Sequence, residues 1–205
     1  MNERQRRAVP WVLFVAVQVA AVALYFILSD TVAVTVRHAL YPVIWVTLSA
    51  WVFVRTPLPD ELPWYAPVVA VVSGVYFLAL LWLAGLVGTA ESPGLAIDVT
   101  GASPGWGPVL AYSGDLVYLR IIPFQVVGYA ALAYLVFVAL TDTASSLVGA
   151  AVGLVSCVGC TWTLVAGALS VVGSAGVTAV VQSYSYELST LVFVTAVVVL
   201  YRYAS

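Results

Sequence analysis

From Ser145 to Gln182 the chain carries no charged side chain. As one straight helix this stretch would run roughly 57 Å at about 1.5 Å per residue. The hydrocarbon core of a bilayer is only about 30 Å thick. The run is therefore expected to reverse direction, either as two crossings with a turn near Cys157–Thr161 or as one crossing plus a re-entrant half-helix. The glycine-rich "GALSVVGSAG" (Gly167–Gly176) is weak helix material and favours an interrupted second arm. Irregular backbone at such depth is tolerated only when it is buried in protein or lines a cavity.

The rest of the chain points the same way. Of 205 residues, 63% are hydrophobic and 8% charged, against about a quarter charged in a soluble domain. The reading is an all-α, polytopic integral membrane helix bundle in one transmembrane domain spanning residues 1–205, solvated by the lipid bilayer. Candidate spans are Pro10–Leu28, Val32–Val54, Ala66–Val87, Ile121–Leu140 and Leu188–Tyr203. The apolar run after Arg4, Arg6 and Arg7 is longer than a signal-peptide core, and no A-x-A site follows it. It reads as an uncleaved first helix. Those three arginines put the N-terminus in the cytoplasm, and Arg55 follows the second span on the same side. The stretch 88–119 then becomes an extracytoplasmic loop in which Trp106, Tyr112 and Tyr118 suit the membrane interface. A cytoplasmic Arg202 requires an even number of crossings, so six are expected, with the broken segment at 145–182; seven is the alternative. The net charge is −2 and no basic patch exists, which excludes a nucleic-acid partner.

Chemistry is concentrated in "GLVSCVGCTW", which holds both cysteines. Cys157 and Cys160 are three residues apart and share a face of any continuous helix. Gly149 and Gly153 lead to Cys157 at four-residue spacing, a small-residue stripe that admits a second helix. Gly159 allows the backbone to break between the thiols. Three readings stay open. The pair shuttles between dithiol and disulfide, as C-x-x-C sites do. Or its thiolates bind a soft ion, for which Cu(I) suits two sulfurs better than Zn²⁺, which takes four ligands. Or the cysteines are small apolar packing residues. His38 is the sole histidine and Met1 the sole methionine, so a Met-lined copper path is excluded.

"SCVGCTWTLVAGALS" resembles the cysteine-bearing segments of the transmembrane thiol carriers typified by CcdA and DsbD. Those carriers hold one cysteine on each of two helices, whereas both thiols here lie on one segment. The whole chain is similar to small, uncharacterised multi-pass membrane proteins of halophilic archaea. Several such proteins accompany copper-oxidase machinery, so the resemblance implies a respiratory oxidase as one candidate for the membrane complex served.

Ionisable residues near the spans complete the candidate site. In the six-crossing arrangement Arg37, His38, Arg120 and Glu187 all lie at the outer face, with Asp115 close by, so that His38, Glu187 and the dithiol would share one outer-leaflet pocket. Trp162 sits beside Cys160 and would shield the thiols. The plainer reading has Arg37 and Arg120 snorkelling to headgroups and Glu187 capping a helix. Gln18 and Gln125 suit hydrogen bonding between helices. "GASPG" (Gly101–Gly105) matches G-x-S-x-G only formally, because that motif needs a strand–turn–helix setting. No catalytic residue is assigned. The functional expectation is a membrane-embedded accessory or assembly protein that handles thiols or copper. Its alternative is a structural subunit or small-solute transporter whose cysteines only pack.

Overall fold

A computed structural model describes residues 3–28, 36–58, 62–89, 96–101, 108–114, 117–143 and 185–204. Its elements are α1 (Glu3–Leu28), α2 (Val36–Arg55), α3 (Ala66–Leu83), β1 (Val87–Thr89), β2 (Ala96–Gly101), β3 (Pro108–Ser113), β4 (Val117–Ile121), α4 (Pro123–Thr143) and α5 (Ser185–Ala204).

Two expectations are corrected by this architecture. The fold is not all-α. Within the stretch 88–119, expected as loop, the described residues form strands of a four-stranded antiparallel sheet in the order β1-β4-β3-β2. The physical reason is local: "VYLRI" alternates in side-chain character at the strand period, and Gly114 opens the turn between it and "PVLAYS". Nor is a six-crossing bundle formed. Among the described residues two helices are long and apolar enough to cross a membrane, Ala66–Leu83 and Pro123–Thr141. The apolar parts of α1, α2 and α5 (Val9–Leu24, Leu40–Arg55 and Ser189–Arg202) are shorter. The stretch Ser145–Gln182, expected to fold back on itself, lies outside the described residues.

The core forms where α2, α4 and α5 meet. Trp45, Val52, Phe124, Ala131, Leu135, Phe193, Val197 and Leu200 recur at helical spacing and are all buried. Ring contacts fix the helix directions. Trp45 meets Phe124 and Phe193, while further along α2 Phe53 meets Tyr134 and Trp51 meets Tyr201. Residue numbers rise together, so α2, α4 and α5 run parallel. The end of α4 and the start of α5 therefore stand at opposite ends of the bundle. Helix α3 runs against α4, and α1 packs on α2.

Both ends of the α3–α4 pair are tied. At one end the Tyr134 hydroxyl donates to the Thr56 carbonyl at 2.5 Å, and the Tyr65 hydroxyl donates to the Thr141 carbonyl at 3.2 Å. At the other, α3 ends at Leu83 and the chain turns at Gly85, whose φ of 69° only glycine adopts freely. Gly85 N–H donates to Trp82 and Leu86 N–H to Leu81, which closes the helix end. The chain then turns directly into β1, and the Arg120 amide of β4 donates to the Leu86 carbonyl at 2.7 Å.

Candidate functional site

The described part of the site region begins with Trp45. Its indole stacks on Phe193 and meets Phe124 and Tyr129 edge-on, at centroid distances of 5.9 and 5.6 Å. Its Nε1–H donates to Thr190 Oγ1 at 3.2 Å, so the one polar atom of the ring is partnered inside an apolar nest. Gly128 of α4 makes the approach possible, because a Cβ there would collide with the indole. This nest pins α2, α4 and α5 together at the end where the sheet lies.

Toward that same end stand two of the expected site residues. His38 is in the first turn of α2, seven residues before Trp45, and Glu187 is in the first turn of α5, six before Phe193. At about 1.5 Å per residue the two positions lie roughly 10 and 9 Å beyond the Trp45–Phe193 contact, on parallel neighbouring helices. Arg37 precedes His38 in the same turn. Arg120 is on β4 opposite Ala111, and its side chain is exposed. The structure thus brings the His38 and Glu187 positions to one height at one end. Cys157, Cys160, Trp162, Asp115, Gly149 and Gly153 lie outside the described residues. Among the described residues no three His, Cys, Asp or Glu side chains gather as a metal site would require.

Deeper in the bundle, Gln18 of α1 donates from Nε2 to Thr47 Oγ1 of α2 at 3.2 Å. Gln18 is 7% exposed, and its Oε1 accepts no hydrogen bond. The expectation of an interhelical bond at Gln18 is met on its donor side alone. Ser73 and Thr56 are also buried with unpartnered hydroxyls. Ser49 returns its hydroxyl to the Trp45 carbonyl at 2.7 Å. Sequence reasoning missed Trp45 and Thr190 as partners. Their separation along the chain leaves no local signal, although the i, i+7 spacing of Trp45 and Val52 marks the buried face of α2.

Fold and site together define a helical protein with a small antiparallel sheet joined to two helices that are suited to a membrane. The chain belongs to a family of unknown function, DUF7546, whose model matches residues 1–205. No curated protein and no solved structure matches it.

Proposed function

We propose that the chain is a multi-pass integral membrane protein with a cytoplasmic N-terminus. In this reading it serves as an accessory or assembly factor of a membrane protein complex, and its Cys157–Cys160 pair handles thiols or Cu(I). The membrane half of the proposal is supported by the outward face of α3. Val68, Val71, Val72, Val75, Leu78 and Trp82 form an unbroken exposed apolar stripe along it. A water-facing helix would carry polar residues there. The stripe is bracketed by Trp64, 90% exposed, and Trp82, 56% exposed. The helix between them spans about 27 Å, close to the roughly 30 Å hydrocarbon core. Exposed tryptophans at both ends of such a helix suit the two headgroup levels. Val12, Leu13, Val17, Val19 and Leu24 of α1 are exposed and apolar as well.

The chemical half rests on one observation, the equal height of His38 and Glu187 on parallel neighbours at the sheet end. In this reading the pair of soft sulfurs meets a borderline imidazole and a hard carboxylate at that level. Two thiolates with one imidazole suit Cu(I) as cargo, whereas zinc would want a fourth ligand. In thiol exchange the same pair gives two electrons and two protons to a partner disulfide and itself becomes a disulfide.

The test is Cu(I) titration and thiol counting on the detergent-purified protein before and after reduction. The reading expects stoichiometric Cu(I) binding, or a disulfide that opens on reduction, and loss of either in the variant carrying Cys157→Ser and Cys160→Ser. If the wild type binds no Cu(I), keeps two free thiols throughout, and the double variant assembles and works normally, the cysteines only pack. The chain is then a structural subunit or a small-solute transporter.

A further inference from the structure

The four-stranded sheet has one predominantly apolar side. Its register pairs Val87 with Leu119, Leu119 with Tyr112 and Tyr112 with Ile97. Directly paired residues share a face, and positions two apart on a strand share it too. One face therefore carries Val87, Tyr112, Val117, Leu119 and Ile121, with positions 97, 99 and 110 (Ile, Val and Leu) in line and Thr89 at its β1 edge. The opposite face carries Ser113, Tyr118 and Arg120, with Asp98 and Thr100 in register.

Among the described residues the helices leave part of the apolar side open. Among the described residues the sheet meets the bundle chiefly through β1 against α3 and the bond from Arg120 N–H to Leu86 O. Val117 remains 42% exposed and Ile121 40%. Apolar residues alternating with Arg120 along an exposed strand indicate an occupant for that side.

Position selects the occupant. Ala84–Leu86 alone join α3 to β1, and Ile122 alone joins β4 to α4. The sheet is thus held within a few residues of the ends of the two helices suited to crossing a membrane. Trp82, exposed on the last turn of α3, stands at the level where the sheet begins. We infer that the sheet lies flat on the outer leaflet, with the Val117–Leu119–Ile121 side sunk to the boundary of headgroups and acyl chains and the Arg120 side toward water. This rests on the membrane reading above and goes beyond it. The partner is phospholipid acyl chain at the interface, met by a β-sheet rather than by an amphipathic helix.

The inference is tested with the full chain reconstituted in phosphatidylcholine vesicles. p-Benzoylphenylalanine replaces, one at a time, Val117 and Ile121 on the apolar side, Arg120 on the polar side, and Val75 on the outward face of α3. After irradiation, lipid adducts are counted by mass spectrometry. Adducts at positions 117 and 121 should approach the yield at 75 and exceed that at 120 several-fold. Adducts at 75 with none at 117 or 121, or with cross-links from 117 and 121 to a second copy instead, overturn the sheet's lipid contact and leave the membrane reading standing. No adduct at 75 removes the membrane reading and this inference together. The two apolar-side positions guard against one substitution that merely disturbs the strand.

Discussion

The indole of Trp45 lies flat on the ring of Phe193, with centroids 4.0 Å apart and planes 6° from parallel. A helix that starts at Val36 is thereby locked to one that starts at Ser185. The lock depends on Gly128, where a Cβ would strike Cε3 and Cζ3 of Trp45 and sit 3.3 Å from Phe193. Gly128→Ala should therefore destabilise the bundle by about 1–3 kcal/mol through overpacking, despite alanine's better helix propensity. Thermal unfolding in detergent reads this as a lowered Tm. At Gly74 of α3 a Cβ meets nothing within 4 Å. Gly74→Ala should stabilise by roughly 0.5–1 kcal/mol.

The turn at Gly85 fixes how α3 passes into the sheet. Its φ of 69° strains any residue with a Cβ, although the space around it is open. Gly85→Ala should cost about 1 kcal/mol from backbone conformation alone. Gly85→Asn should cost less, since asparagine tolerates the left-handed region. Comparison of the two Tm values separates a backbone effect from a packing effect.

Two hydroxyls hold the α2–α3 connection against α4. Tyr134→Phe and Tyr65→Phe each delete one bond to a main-chain carbonyl and keep the ring. Hydrogen bonds inside membrane proteins are worth about 0.6 kcal/mol on average and about 1.7 at most. Each variant should lose an amount in that range. Because both bonds fasten the same connection, the double variant should depart from the sum of the two, and a double-mutant cycle measures the coupling.

Gln18 and Thr47 predict opposite signs for two substitutions at one contact. Thr47→Val removes the acceptor of the Gln18 amide and leaves the whole carboxamide buried without a partner. That should cost about 1–3 kcal/mol. Gln18→Leu removes the orphan Oε1 together with its donor and should be neutral or stabilising. Chemical or thermal denaturation of the two variants decides between a structural bond and a simple cost of burial.

Much of the helical content was legible because apolar runs of span length are hard to misread. Ala66 begins both the expected third span and α3, and Leu28 ends both the first span and α1. The ends that moved did so for local reasons. Helix α3 stops at Leu83 because the Gly85 turn consumes Ala84–Leu86, and α4 waits until Pro123, whose fixed φ suits a first helical position. The sheet was not legible. Its strands are short, and in a chain so apolar the alternation in "VYLRI" is easily read as one more hydrophobic run. The paired residues, such as Val99 and Leu110, also come from different turns of the chain. For the candidate site, sequence identified His38 and Glu187 by residue type. Their common height depends on α2 and α5 running parallel, which tertiary packing alone decides.

The central claim is that the α3–α4 pair crosses a membrane, with the sheet outside and the Arg55 and Arg202 ends inside. Accessibility of short epitope tags in intact cells tests it most directly, with one tag inserted at Gly114 in the β3–β4 turn and another after the C-terminal Ser205. The account predicts that an impermeant antibody reaches the Gly114 tag in intact cells and the C-terminal tag only after lysis, with the protein retained in the membrane pellet after alkaline carbonate washing. Equal labelling of both tags in intact cells, or release of the protein by carbonate, would contradict it.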